Sequence, residues 1–366
     1  MYNSFGHIFR ITTFGESHGV GIGVVIDGIP SGVRIDQDDI QAALHRRRPG
    51  QSDITTPRKE SDRVEVISGL YHGITTGAPL TFLIRNQDAK PDDYQQMETV
   101  FRPSHADFTY LHKYGIKDHR GSGRASARET AARVAAGAVA KQMLTSKSQI
   151  EVLAWVQAIG GIEMPPMEGI SLHLIDNNEV RCPHAETALQ MRQLIIEMQE
   201  SGDSVGGIIA CHTQGLPIGL GQPVYAKLNA MLASAMFSLP AVKGFELGSG
   251  FAGTRMKGSM HNDAFYKDAH GAIHTRTNHS GGIQGGISNG EPITFQVGFK
   301  PVSTIAQSQS TVDTHGTEVS LAAKGRHDPC VLPRAVPIVE AMTWIVLADA
   351  WLMHRNSNWA SIHPSE

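Results

Sequence analysis

Arginines are the residues in this chain best placed to do chemistry. Arg46, Arg47 and Arg48 stand together before Pro49-Gly50, and Arg58, Lys59 and Arg63 follow closely. Arg120, Arg124 and Arg128 punctuate the segment Arg120-Gly121-Ser122-Gly123-Arg124-Ala125-Ser126-Ala127-Arg128. That segment runs into Ser126 with Glu129 three positions later, the pattern of a capping box at a helix start. Exposed backbone N–H groups, the positive end of a helix dipole and planar guanidinium donors are thereby offered together, which suits phosphate or carboxylate. Arginine density alone also fits a solvated basic loop.

Groups that could move protons near neutral pH are His18, His105 and the segment Arg326-His327-Asp328-Pro329-Cys330,. Taken singly, each histidine is more often structural than catalytic. The run from Gly281 to Gly290 could let backbone approach a planar or phosphorylated ligand, although glycine content by itself fits a flexible loop equally well,. Together these features describe chemistry on a phosphorylated, carboxylated substrate without fixing the reaction.

Three other patterns compete. Gly15-Glu16-Ser17-His18-Gly19 matches a hydrolase nucleophile elbow, but Val20-Gly21-Ile22-Gly23-Val24-Val25-Ile26 reads as a strand where the elbow needs a helix,. Gly248-Ser249-Gly250-Phe251-Ala252-Gly253 matches a dinucleotide-binding pattern, yet Thr254 to Gly258 is a poor helix start,. His261, His270, His274 and His279 lie close in sequence, but no cysteine partner or His-Glu-x-x-His pattern accompanies them, so no metal site is expected,.

The elements that must position these groups are of mixed type. Strands are expected over His7 to Phe14, Gly19 to Asp27, Val64 to Ser68, Leu80 to Arg85 and Val205 to Thr213,. Helices are expected from Thr130 to Leu144, from Glu186 to Ser201 with Gly202 as stop, from Pro223 to about Phe237, and onward from Pro337,. Near-adjacent strand pairs bounded by glycine favour antiparallel sheets, hence an α+β fold with sheets covered by helices. No linker or internal repeat divides the chain, so residues 1–366 are read as one domain,.

With 366 residues, 40% hydrophobic content and a net charge of −3, the chain can bury a large core and makes no overall electrostatic case for binding nucleic acid or membrane,. The stretch from Pro337 to Met353 carries Glu340 and Asp349 and reads as a buried core helix,. Cys182, Cys211 and Cys330 are too few and too widely spaced for a disulfide framework,. The N-terminus lacks the pattern of a secretory signal, and a reducing cytoplasm is the expected compartment.

Six motifs in order resemble the chorismate synthase family: Phe14 to Gly19, Arg46 to Gly50, Phe101-Arg102-Pro103-Ser104-His105-Ala106-Asp107, Arg124 to Glu129, Gly281 to Gly290, and Gly325 to Cys330. The resemblance implies 1,4-elimination of phosphate from 5-enolpyruvylshikimate 3-phosphate to give chorismate, requiring reduced FMN without net redox change. It makes His18 the acid near the departing phosphate, His105 the group that keeps the reduced flavin in its reactive protonation state, and Asp328 the partner for proton transfer at the flavin. Arg124, Ala125, Ser126, Pro240, Ala241, Gly285, Lys300, Pro301, Val302, Ser303, Thr304 and Arg326 become its flavin contacts, while Arg47, Arg48, Arg133, Arg334 and Ser17 become its anion-binding residues. The implied fold is a β-α-β sandwich with antiparallel sheets central and helices outside, assembled as a homotetramer. Asp53 stands where many relatives carry an arginine, which weakens the transfer of an NADPH site; NADPH is implied only if the enzyme reduces its own flavin, the alternative being an external flavin reductase.

Overall fold

The computed structural model describes residues 3–56, 58, 60–88, 97–323, 328–355 and 357. Arg326, with His327, lies outside them, as does Lys59.

Two five-stranded antiparallel sheets carry the structure. The first contains β1 (Ser4–Phe5), β2 (Arg10–Gly15), β3 (Gly21–Asp27), β4 (Val64–Ser68) and β5 (Leu80–Arg85), in the order β1-β2-β3-β5-β4. Val24 sits opposite both Thr13 and Phe82. Ile22, Val24 and Ile26 of β3 and Leu80, Phe82 and Ile84 of β5 are buried, the period of two that gives a sheet one apolar face,. The second sheet contains β6 (Glu151–Ile159), β7 (Ile162–Glu163), β8 (Gly207–Gln214), β9 (Val242–Leu247) and β10 (Ile293–Phe299), in the order β9-β10-β8-β6-β7.

Between the sheets lie α1 (Gln37–Arg47), α3 (Thr130–Thr145), α5 (Leu228–Phe237) and α6 (Leu332–His354), while α2 (Asp107–Tyr114) is apart from this layer and α4 (Ala185–Ser201) packs on β6 and β7. Helix α3 packs on β2, β3 and β5, α6 packs on β6 and β8, and α3 and α6 pack on each other. The α+β class and antiparallel pairing are as expected, but the layer order is reversed: helices occupy the middle and sheets the outside. The reason lies in α6, where every residue from Leu332 to Ala350 is buried. A helix apolar all round needs cover on all sides, whereas an antiparallel sheet can leave one face to water. By length and composition α6 could cross a membrane, yet 89% of its most apolar stretch is buried inside the protein.

Helix α6 also starts earlier than Pro337. Pro333 occupies its first turn and Pro337 lies inside it. Pro337 has no N–H for the Pro333 carbonyl, and the Arg181 guanidinium donates to that carbonyl instead,. Two acids inside this helix are also matched: Glu340 pairs with Arg46, and Asp349 accepts from the backbone N–H groups of His7, Ile8 and Phe9 at 2.9, 2.7 and 3.1 Å. Helix α5 begins at Leu228, five residues after Pro223, because the Gln222 N–H closes a turn onto the Ala226 carbonyl.

Close packing of α3 on α6 depends on Gly137, where a Cβ would stand 2.5 Å from the Cα and the Cβ of Ala341. Gly137→Ala is expected to force the helices apart and lower stability by about 1–3 kcal/mol despite the better helix propensity of alanine, measured as a shift in urea midpoint.

Candidate active site

A cleft of about 1230 Å3 lies beside the helical layer. Its walls come from β2 and the turn after it, the end of α1, residues 102–107, residues 121–130 with the first turn of α3, residues 238–241, residues 299–304, and Asp328 with the start of α6. Sites for small ligands occupy about 300–1,000 Å3, so this space can hold two of them side by side.

The floor is a network of buried charges. Arg47 is 1% exposed and donates to Asp62 (3.1 Å), Thr130 Oγ1 (3.2 Å) and the Ala127 carbonyl (2.7 Å). Arg128 donates to the other oxygen of Asp62 and, at 2.8 Å, to Asn86. Burial alone would raise the Asp62 pKa, but the charges of Arg47 and Arg128 outweigh it and hold the carboxyl below its ordinary value,. Glu60, also buried, accepts from Arg58 at 2.6 Å and from the Gln87 N–H at 2.9 Å. Arg58 reaches on to Ser17 Oγ at 3.2 Å. Three arginines at the cleft thus stand over two carboxylates, an arrangement with a surplus of positive charge for an anion.

On one wall His105 Nε2 lies 3.2 Å from Ser122 Oγ, and Nδ1 lies 3.1 Å from Asp107 Oδ1. Burial pushes the pKa of His105 down, with Asp107 opposing and Arg102 and Lys300 adding to the shift. His18 packs on Gly121, where a Cβ would stand 2.0 Å from His18 Cε1, so only glycine leaves room for the imidazole. Asp328 accepts from the Thr56 N–H at 2.9 Å and pairs with Arg334, whose Nε is buried without a partner among the described residues. Arg133 is held by Glu129 at 2.9 Å and by Ser238 Oγ at 2.6 Å.

His18, His105, Asp328, Ser17, Arg47, Arg133 and Arg334 all line this cleft, as do Arg124, Ala125, Ser126, Pro240, Ala241, Lys300, Val302, Ser303 and Thr304. Pro301 does not, although its two neighbours do. Arg48 is exposed at the C-cap of α1 and does not line the cleft, although its neighbours Arg47 and Pro49 do. Gly285 is exposed at the tip of the hairpin formed by Ile283–Gln284 and Ile287–Ser288, and the glycine-rich run does not line the cleft. The sequence pattern picks out Arg58 and Arg128 among the candidate anion-binding arginines, but does not single out the carboxylates Glu60 and Asp62 that hold them and assigns no role to Arg102. The spacing Arg58-x-Glu60-x-Asp62, acids interleaved with the basic run, was the available signal.

The competing patterns resolve on geometry. The turn carrying Ser17 joins the antiparallel strands β2 and β3, and Ser17 Oγ meets Arg58 instead of a histidine base. The helices that follow Gly248, Gly250–Gly253 and Gly258–His261, have four residues each, too short for a dinucleotide-binding helix,. Among the described residues no three His, Cys, Asp or Glu side chains are grouped to hold a metal. Asp53 forms an ion pair with Arg192 at 2.7 Å.

Comparison with known proteins agrees with this architecture. The family model for chorismate synthase matches residues 9–352. The chain is 58% identical to the chorismate synthase of Opitutus terrae over 96% of this chain and 97% of that one. It is 57% identical to that of Synechococcus sp. (strain RCC307), over 97% and 99%. A crystal structure of chorismate synthase superposes with a TM-score of 0.73 at 30% identity, covering 96% of this chain and 94% of the other. Fold, cleft and relatives together define an enzyme, a lyase. The chain belongs to the chorismate synthase family.

Asp62→Ala would leave Arg47 buried without a counter-charge and Arg128 with only Glu60, 3.8 Å away, and a loss of about 3–5 kcal/mol in denaturant unfolding is expected,. Because the folded pKa of Asp62 lies below 3.8, its contribution is complete above that pH and drains away as pH falls further,. Asp62→Asn should therefore flatten the acid limb of the stability profile, read as urea midpoints between pH 5 and pH 2.

Proposed function

We propose that the cleft converts 5-enolpyruvylshikimate 3-phosphate to chorismate by 1,4-elimination of phosphate, with reduced FMN held beside the substrate. The observation that carries this reading is one cleft large enough for two ligands, with a surplus of buried arginine over carboxylate and two histidines on its walls.

The residues present fit a flavin mononucleotide. Arg124, Ala125, Ser126, Pro240, Ala241, Lys300 and the stretch Val302 to Thr304 would hold it, and the Lys300 ammonium, its pKa lowered by burial and by Lys243, is a cation for an anionic group. When bound, reduced flavin supplies electron density that eases departure of phosphate. Arg47, Arg133 and Arg334 face the phosphate and carboxylates of the substrate, and the Nε of Arg334, buried without a partner among the described residues, is a donor for such an anion,. His18 donates a proton to the leaving phosphate, His105 maintains the protonation state of the cofactor side, and Asp328, oriented by Thr56 and Arg334, takes part in moving the ring proton,. Ser17 presents its hydroxyl from the turn that also carries His18.

The Asp53–Arg192 ion pair puts an engaged carboxylate where a nicotinamide phosphate would want a free arginine, which supports supply of reduced flavin by a separate reductase. Exposed Phe251, Phe265 and Ile273 provide apolar surface for a homotetramer, and three buried free thiols suit a reducing cytoplasm,. Residues 1–366 act as one domain around this cleft.

Phosphate release from 5-enolpyruvylshikimate 3-phosphate, followed anaerobically with chemically reduced FMN, is the test. Release should require reduced flavin and fall by about 10²–10⁴ in His105→Ala and in Asp328→Ala. Wild-type release with oxidised flavin in air would overturn the reading.

A further inference from the structure

Both ring nitrogens of His105 are engaged by protein groups, Nε2 by Ser122 and Nδ1 by Asp107. The Asp107 contact has ion-pair distance without the alignment of a full hydrogen bond. Arg102 closes a ring around them. Its Nε and Nη2 donate to Asp107 Oδ2 and Oδ1, both at 2.7 Å, and Nη2 also donates to Ser122 Oγ at 2.7 Å.

Donor capacity gives this ring a direction, because arginine can only donate and an ionised carboxylate can only accept. Asp107 is ionised: burial would raise its pKa, but the two hydrogen bonds from Arg102 and the closeness of His105 outweigh that and hold it far below the usual range. Neutral His105 therefore carries its proton on Nδ1, facing Asp107, and presents a lone pair at Nε2. Arg102 occupies one lone pair of Ser122 Oγ, so the serine hydrogen is free to point at Nε2. When His105 is protonated, Nε2–H must donate to Oγ and the serine hydrogen must turn elsewhere. Ser122 lines the cleft, which is the open direction.

The backbone on both sides is held in unusual conformations for this contact. Ser104, just before His105, has φ 59°, and Ser122 has φ 73°, each a positive value for a non-glycine residue. Such strain persists where surrounding structure imposes it and gathers at functional sites. Ser303 Oγ fixes the Ser104 carbonyl at 3.0 Å, and the His105 N–H donates to the Arg102 carbonyl at 3.2 Å.

We propose that Ser122 relays protons between His105 and the ligand in the cleft, with Arg102 and Asp107 as positioning residues that fix the imidazole. The role rests on reading this cleft as the reaction site. In the forward sense the Nε2–H bond breaks as the proton passes to Oγ, while the original Oγ–H bond breaks as its proton passes to a ligand atom. Serine ends unchanged, the ligand gains one proton, and His105 ends neutral with its remaining proton on Nδ1.

The test combines nitrogen-15 NMR of histidine-labelled protein with kinetics. The His105 signal is identified by its loss in His105→Gln. Neutral wild type and Ser122→Ala should both show the Nδ1–H tautomer, and Asp107→Asn should titrate at lower pH because the stabilising carboxylate is gone. In Ser122→Ala kcat should fall about 100-fold with KM nearly unchanged. Ser122→Gly, at ease with φ 73°, controls for folding and should lose activity equally. An Nε2–H ring in wild type, or full kcat in either serine variant, overturns the relay. An inactive wild type would instead sink the reaction, a failure visible apart from the tautomer.

Discussion

Asp62 is fully buried between two buried guanidiniums, and much of the cleft is arranged around that contact. A lone charge in such a place would be costly to desolvate, so each arginine that faces the cavity from below must be matched by an acid or by several oxygen acceptors. Arg47 comes from the end of α1, Arg128 from the turn leading into α3, and Asp62 from the segment before β4. The carboxylate therefore joins three stretches of chain, and its own backbone bears the positive φ of 47° needed to reach them. Charge that serves a ligand and charge that secures the fold are the same atoms here.

Local pattern in the sequence was enough for much of the secondary structure. Strands β4 and β5 and helix α3 fall within a residue of the periodicity that foretold them, because each carries its own apolar rhythm and stop signal. Layer order was not legible. It follows from α6 being apolar on every side, which one sequence expresses only as a hydrophobic run that a core helix and a covered helix share. The early start of α6 was hidden for a related reason, since Pro337 is tolerated only because Arg181, remote in sequence, takes over the stranded carbonyl.

The site divides along the same line. Groups inside recognisable motifs, among them His18, His105 and Arg124, converge on the cleft. Gly285 and Arg48 do not, although their motifs looked equally suitable, because flexibility and positive charge say nothing about which way a hairpin tip or a helix cap faces. The acids Glu60 and Asp62 escaped notice since their value lies in partners brought together by folding, which neighbouring residues do not reveal.

The Asp349 carboxylate ties α6 to the link between β1 and β2 across more than three hundred residues, by accepting from the backbone of His7 to Phe9. During synthesis the link between β1 and β2 is made long before α6, and its amides must wait for that helix before they find their acceptor,. The finished protein closes like a clasp, and a link made early is among the last to be secured.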